Sequence, residues 1–179
     1  MSALPQQLVN PFKQASLGAE YRGELSFDGM PRLQALLVAE SGGSVNYRLR
    51  FSQPQSRKFC LEGTIEAVVE LPCQRCFRSS QHEIASGFRF ALVESDAEIA
   101  LVAEGWEPLL VDEERISLVA LLEEELLLSL PAVATHHDKA LCAGSDWQSW
   151  IEREADRKLK ADNAEEENPF AVLADLKKK

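Results

Sequence analysis

The chain has 179 residues, of which 45% are hydrophobic, and its formal net charge at pH 7 is −10. This length and apolar content suit one folded domain, or one domain with long arms. The negative charge argues against a protein whose whole surface grips nucleic-acid phosphates, because that affinity comes from lysine and arginine displacing counterions. No apolar run has the length of a signal peptide or a membrane span, so we expect a cytoplasmic protein.

The charge is unevenly distributed along the chain. Residues 94–125 carry eleven acidic side chains and one basic side chain. Residues 45–90 carry seven basic side chains against four acidic ones. A basic face and an acidic face are therefore expected in the same molecule.

An antiparallel sheet is predicted for the first half of the chain. The clearest signal is at residues 45–52, where apolar and polar side chains alternate with a period of two. In chain order, the predicted extended segments are 21–27, 32–40, 45–52, 58–71 and 81–94. Antiparallel pairing is the most economical assembly, so we expect an α+β fold with an antiparallel, barrel-like sheet over residues 20–94.

Two helices flank this sheet in the sequence. A short helix is predicted over residues 10–17, and one strong amphipathic helix over residues 116–130. In the second helix, leucines place an apolar stripe on the core, and Glu123 to Glu125 are expected mostly in solvent. Ser117 is its predicted N-cap. Residues 95–114, which precede it, are interpreted as an acidic loop.

The predicted domain organisation is a single α+β domain over residues 1–150 and a flexible, charged tether over residues 151–179. The tether mixes charges of both signs with little apolar content, which is typical of a solvated helix or a disordered segment. It ends in a short amphipathic helix over residues 168–179, which docks either on its own domain or in a partner's groove. The candidate partner-binding residues in it are Asn168, Pro169, Phe170, Leu173 and Leu176.

Cys73 and Cys76 form a C-x2-C element directly after a predicted strand. Two thiolates at this spacing occupy two corners of a zinc tetrahedron. The other two ligands would be Cys142 and a nearby histidine, for which His137 is the candidate and His136 has a similar spacing. Sixty-five residues separate Cys76 from Cys142, so the two halves of a zinc site must meet through the fold.

Two other interpretations of this element remain open. The thiols would simply pack or form hydrogen bonds in a tight β-turn, since free cysteine is often a small buried hydrophobe. Alternatively they form a redox dithiol, with Arg75 stabilising a thiolate. The redox interpretation fits less well, because such a site begins a helix and the residues after Cys76 look extended. Hydrolase and phosphate-loop signatures are missing, so we do not predict an enzyme.

Arginine and tryptophan side chains provide two further candidate contacts. Arg75 and Arg78 project from the predicted turn and are candidates to bind phosphate or an acidic protein, although solubility explains them about as well. Trp147 and Trp150 share one helical face, and we expect them in the core rather than as a platform for bases.

The combination of these motifs resembles the YceD family of large ribosomal RNA accumulation proteins. The segments that carry the resemblance are residues 69–76, residues 118–131, His137-Asp138 with Cys142, and residues 168–179. The resemblance implies a role in synthesis, processing or stability of 23S ribosomal RNA, with no established enzymatic step. It implies a ribosome-assembly protein or the large-subunit rRNA precursor as partner, and no membrane or small-molecule substrate. The acidic net charge favours the protein partner over naked RNA.

Overall fold

A computed structural model describes residues 8–39, 41–53, 58–111 and 115–163, with side chains described as far as residue 157. The strands in these residues are β1 (Glu20–Ser26), β2 (Ser44–Ser52), β3 (Phe59–Pro72), β4 (Ser79–Val93) and β5 (Glu107–Leu110). The α-helices are α1 (Pro11–Leu17), α2 (Pro31–Gln34), α3 (Asp96–Ile99), α4 (Leu118–Ser129) and α5 (Asp146–Asn163). The predicted α+β class is confirmed.

The described strands form one sheet in the order β1-β2-β3-β4-β5. The pairs from β1 to β4 are antiparallel, as predicted, whereas β5 runs parallel to β4. The sheet is open rather than barrel-like. The segment predicted as an acidic loop instead forms α3, a turn and β5. Because α3 and the turn cross over between β4 and β5, the two strands run in the same direction.

One face of the sheet is buried against helices. Strand β2 alternates buried and exposed side chains along its length, which confirms the period-two signal. Leu118, Leu122 and Leu126 of α4 are fully buried and repeat every four residues, as expected for one face of a helix. The hydroxyl of Ser117 accepts a hydrogen bond from the N–H of Ala120 at 3.2 Å, so the predicted N-cap is confirmed.

The prediction that residues 32–40 are extended is wrong. The chain instead forms α2 and then turns. Glu123, which was expected in solvent, is 5% exposed, and its Oε1 accepts hydrogen bonds from the N–H groups of Arg32 (2.8 Å) and Leu33 (3.1 Å). A carboxylate at a helix N-terminus satisfies free amides and complements the helix dipole. The capping carboxylate lies 90 residues after Leu33 in the chain, so the local sequence pattern around α2 could not reveal it.

Replacing Glu123 with alanine is expected to lower the free energy of unfolding by about 2 to 3 kcal/mol, because two backbone N–H groups lose a charged acceptor. Glu124→Ala is the matched control. Its half-exposed carboxylate contacts the Arg32 guanidinium at 2.7 Å, and an exposed ion pair contributes at most about 1 kcal/mol. Urea unfolding of both variants measures the difference. Equal losses would contradict the assignment of Glu123 as the cap of α2.

Glu125 is expected to make the stability fall as the pH rises. Its side chain is buried, and burial raises the pKa of its carboxyl, with Glu107 and Glu124 raising it further. Between the ordinary value of 4.5 and the higher folded pKa, the folded state therefore holds more protons than the unfolded state. The Glu125→Gln variant should not show this loss of stability. At pH 7 it should therefore unfold at a higher temperature than the wild type, whereas below about pH 4 it should have no such advantage. If the unfolding temperature of the wild type instead rose relative to that of the variant as the pH increased from about 4 to 7, the expectation would be contradicted.

The chain divides into two compact units. The sheet unit comprises Met1–Cys73 and Arg78–Thr135, and the second unit comprises Gln74–Phe77 and His136–Lys179. The second unit thus combines the loop between β3 and β4 with the chain that contains α5. The predicted boundary at residue 150 falls within α5 and stays a prediction. The helix predicted over residues 168–179 lies outside the described residues.

Candidate metal centre

A tight hairpin loop carries the C-x2-C element. Strand β3 ends at Pro72, which pairs with Ser79, the first residue of β4. The N–H of Cys73 donates to the carbonyl of Arg78 at 2.9 Å. This bond closes the loop Gln74–Phe77. Cys73 is fully buried at the end of its strand, and Cys76 follows three residues later. The sequence folds in this way because Pro72 ends the strand and polar residues follow it.

Cys142 is positioned by a short 3-10 helix, Lys139–Cys142. The carboxylate of Asp138 caps this turn by accepting a hydrogen bond from the N–H of Ala140 at 2.8 Å. The carbonyl of Cys142 then accepts a hydrogen bond from the Ser145 hydroxyl at 2.6 Å. The Cys142 side chain is fully buried. Local hydrogen bonds therefore fix the backbone turn that carries this thiol.

The ligand atoms of three cysteines and one histidine lie close together. His136 Nδ1 is 3.5 Å from Cys76 Sγ and 3.4 Å from Cys142 Sγ. With Cys73 included, the four ligand atoms lie within 4.8 Å of one another. Zinc bonds to sulfur and nitrogen imply an S···N edge of roughly 3.5 Å in a tetrahedron. The donor set fits a zinc ion held by four protein ligands, which is the pattern of structural sites.

The geometry favours His136 over the predicted ligand His137. His137 is exposed and does not belong to the group of four. The two histidines are adjacent in an irregular stretch, where neighbouring side chains point in different directions. Their spacings to Cys142 differ by one residue, and both suit a zinc site. The sequence therefore predicted three of the four residues that lie together here, but it could not decide between the two histidines.

The redox interpretation of Cys73 and Cys76 stays a prediction. The residues after Cys73 form a turn and then β4, so the loop does not begin a helix as a thioredoxin-like dithiol site does. Cys60 lies apart from the cluster in β3 and is 5% exposed, as expected for a core residue. Burial raises the pKa of the Cys60 thiol, with Glu62 adding to the shift and Lys58 opposing it. Cys60 is therefore held in its protonated form.

The arginines of the loop have different surroundings. The Arg75 guanidinium lies over the ring of Trp147, with Cζ 5.3 Å from the ring centroid, and both residues belong to the second unit. Arg78 is exposed. Trp150 is 57% exposed, so the expectation that both tryptophans are core residues is wrong for Trp150. Partner contact by Arg75 and Arg78 stays a prediction.

The predicted partner-binding residues near the end of the chain are not described. Asn168, Pro169, Phe170, Leu173 and Leu176 all lie outside the described residues. Phe77, which is exposed on the same loop, was not among the predicted site residues. Its position directly after the second cysteine is the one feature of the sequence that could have drawn attention to it. Within the described part of the chain, no helix has the length and apolar character needed to cross a membrane.

Comparison with known proteins places the cluster in a family context. The family model for the large ribosomal RNA subunit accumulation protein YceD matches residues 61–177, which include all four candidate ligands. The large ribosomal RNA subunit accumulation protein YceD of Haemophilus influenzae is 28% identical over 172 residues, which is 96% of this chain and 95% of that protein. No solved structure is significantly similar to the chain. Because the family model matches more than half of its length, the chain belongs to the YceD family of large ribosomal RNA subunit accumulation proteins.

Proposed function

We propose that this protein is a non-enzymatic ribosome-biogenesis factor that acts in synthesis, processing or stability of 23S rRNA. Family membership carries the proposal, since the matching family is defined by accumulation of the large-subunit RNA. We place its action in the cytoplasm, where the bacterial large subunit is assembled. Its proposed partner is a ribosome-assembly protein or the large-subunit rRNA precursor.

The cysteine cluster supports a binding role rather than a catalytic one. Three thiols and one imidazole would complete the tetrahedron of a structural zinc site, so a zinc ion held by them would have no open position for water or substrate. We propose that Cys73, Cys76, His136 and Cys142 hold such an ion. When bound, it supplies a cross-link that joins the hairpin loop to the chain around His136 and Cys142. Binding surfaces on that loop would then be held rigid.

Depletion of the protein tests the proposed function. Cells lacking it should contain less 23S rRNA relative to 16S rRNA, and the full chain should restore the ratio. A chain truncated before Asn168 should fail to restore it if the end of the chain binds the partner, as its sequence predicts. An unchanged ratio in the depleted cells would overturn the proposed function. Full rescue by the truncated chain would overturn only the role of the terminal segment.

A further inference from the structure

Phe77, the last residue of the hairpin loop, has an unusual combination of backbone conformation and exposure. Its φ is +60°, and among the described residues it is the sole non-glycine residue with a positive φ. Its side chain is 83% exposed, more than any other large hydrophobic side chain in the described residues. The ring therefore extends into solvent from a left-handed backbone position.

Neither property is explained by folding. The left-handed region is unfavourable for a bulky L-residue, and glycine is the residue that adopts it without penalty. An exposed aromatic ring also gains little from the hydrophobic effect, which depends on burial. Strained residues of this kind concentrate at binding sites. A phenylalanine at this position therefore indicates a use for the ring itself.

The loop presents the ring from a well-anchored position. The hydrogen bond from Cys73 to the Arg78 carbonyl closes the loop on one side. Cys76, which directly precedes Phe77, has its sulfur 3.5 Å from His136 Nδ1. A loop whose backbone is held in place before binding loses less conformational freedom when a ligand arrives, so the affinity gained per contact is larger.

The charges beside Phe77 indicate what its ring binds. The segment from Gln74 to Arg78 contains two arginines and no acidic residue, in a protein with a net charge of −10. Arg75 lies beside Trp147 in the same unit as Phe77, and the exposed Arg78 follows Phe77 in the chain. Unpaired bases stack on aromatic rings and guanidinium planes, and arginine pairs with the adjoining phosphates. A local basic and aromatic site is thus complementary to single-stranded RNA.

We propose that Phe77 is a stacking platform for an unpaired base, with the exposed Arg78 next to it in the chain for a neighbouring phosphate. Arg75, which is half-buried against Trp147, adds positive charge to the same loop. The identification of that strand as an unpaired segment of large-subunit rRNA rests on the proposed function. A duplex offers no free base face in its interior, so the site should prefer single-stranded RNA.

Phe77→Gly separates binding from stability. The full-length variant should unfold at a higher temperature than the wild type, because glycine accepts the left-handed backbone. Its affinity for a labelled single-stranded RNA of about a dozen nucleotides should fall roughly tenfold or more, which is the usual effect of removing one stacked ring. Phe77→Tyr should keep the affinity. Leu128→Ala, which removes another side chain that is 71% exposed, should change neither property. Fluorescence anisotropy and thermal unfolding measure the two quantities.

Several results would overturn the proposal. Wild-type protein that does not bind the single-stranded RNA, or Phe77→Gly protein that binds it equally well, would exclude stacking. A loss of affinity in Phe77→Tyr equal to that in Phe77→Gly would do the same. Rescue of 23S rRNA by Phe77→Gly in depleted cells would overturn the proposal and leave the proposed function standing. A normal 23S level in depleted cells would overturn the proposed function, whatever Phe77 binds in solution.

Discussion

Protein carrying His136→Ala is expected to lose bound zinc, whereas His137→Ala protein keeps it. His136 Nδ1 lies 3.5 Å and 3.4 Å from two cysteine sulfurs, and His137 belongs to no such group. Losing a first ligand should weaken zinc binding by more than about 100-fold, because even the partners that orient ligands contribute 10- to 100-fold. Binding of a structural zinc ion contributes on the order of 10 kcal/mol to folding. Loss of the ion should therefore destabilise the fold around the site.

Elemental analysis of the purified proteins measures this prediction. We expect a full equivalent of zinc per chain in the wild type and in His137→Ala, and almost none in His136→Ala or Cys142→Ser. Cys60→Ser is the thiol control, because Cys60 lies outside the cluster. Limited proteolysis after chelation should cleave the second unit first. A full equivalent of zinc in His136→Ala, or none in the wild type, would contradict the site.

Gly63→Ala is expected to lower the free energy of unfolding by about 2 to 3 kcal/mol. A Cβ at Gly63 would overlap the ring of Phe88, its partner on β4. That ring is 7% exposed and also packs on Phe90, with centroids 5.3 Å apart, so it cannot move without disturbing the core. Strand β3 therefore needs glycine at this position for the aromatic ring to lie against its backbone.

Gly87→Ala is the control for this substitution, because Gly87 lies in the neighbouring strand. A Cβ there would meet the Gly63 carbonyl oxygen at 3.7 Å and Thr64 Cγ2 at 3.9 Å, which are ordinary contacts. Alanine should be neutral or stabilise by up to about 1 kcal/mol, since it restricts the unfolded chain. Chemical denaturation compares the two variants. A similar loss in both would mean that glycine flexibility, rather than the Phe88 ring, determines the effect.

The parts of the fold that the sequence predicts well are those determined by local pattern. Strand β2 and helix α4 each bury one face, and their apolar side chains recur at the period of a strand or a helix. Helix α2 was not predicted because its cap, Glu123, is remote in sequence. Strand β5 was missed for a similar reason, since its four residues are stabilised by pairing with β4. Interactions between distant segments leave no local periodicity.

The candidate site shows the same division. Cys73, Cys76 and Cys142 stand out by residue type and spacing, because thiols in pairs suit a metal. Selecting His136 required the direction of a side chain in an irregular segment. Phe77 was missed because neither its positive φ nor its exposure can be read from a single phenylalanine in the sequence.

We propose that a metal-held unit of this chain supports accumulation of large-subunit rRNA. The most direct test is the ratio of 23S to 16S rRNA in cells lacking the protein, complemented with the wild type, with His137→Ala or with His136→Ala. We expect a selective 23S deficit that the wild type and His137→Ala correct and that His136→Ala does not. A normal ratio without the protein, or full rescue by His136→Ala, would contradict it.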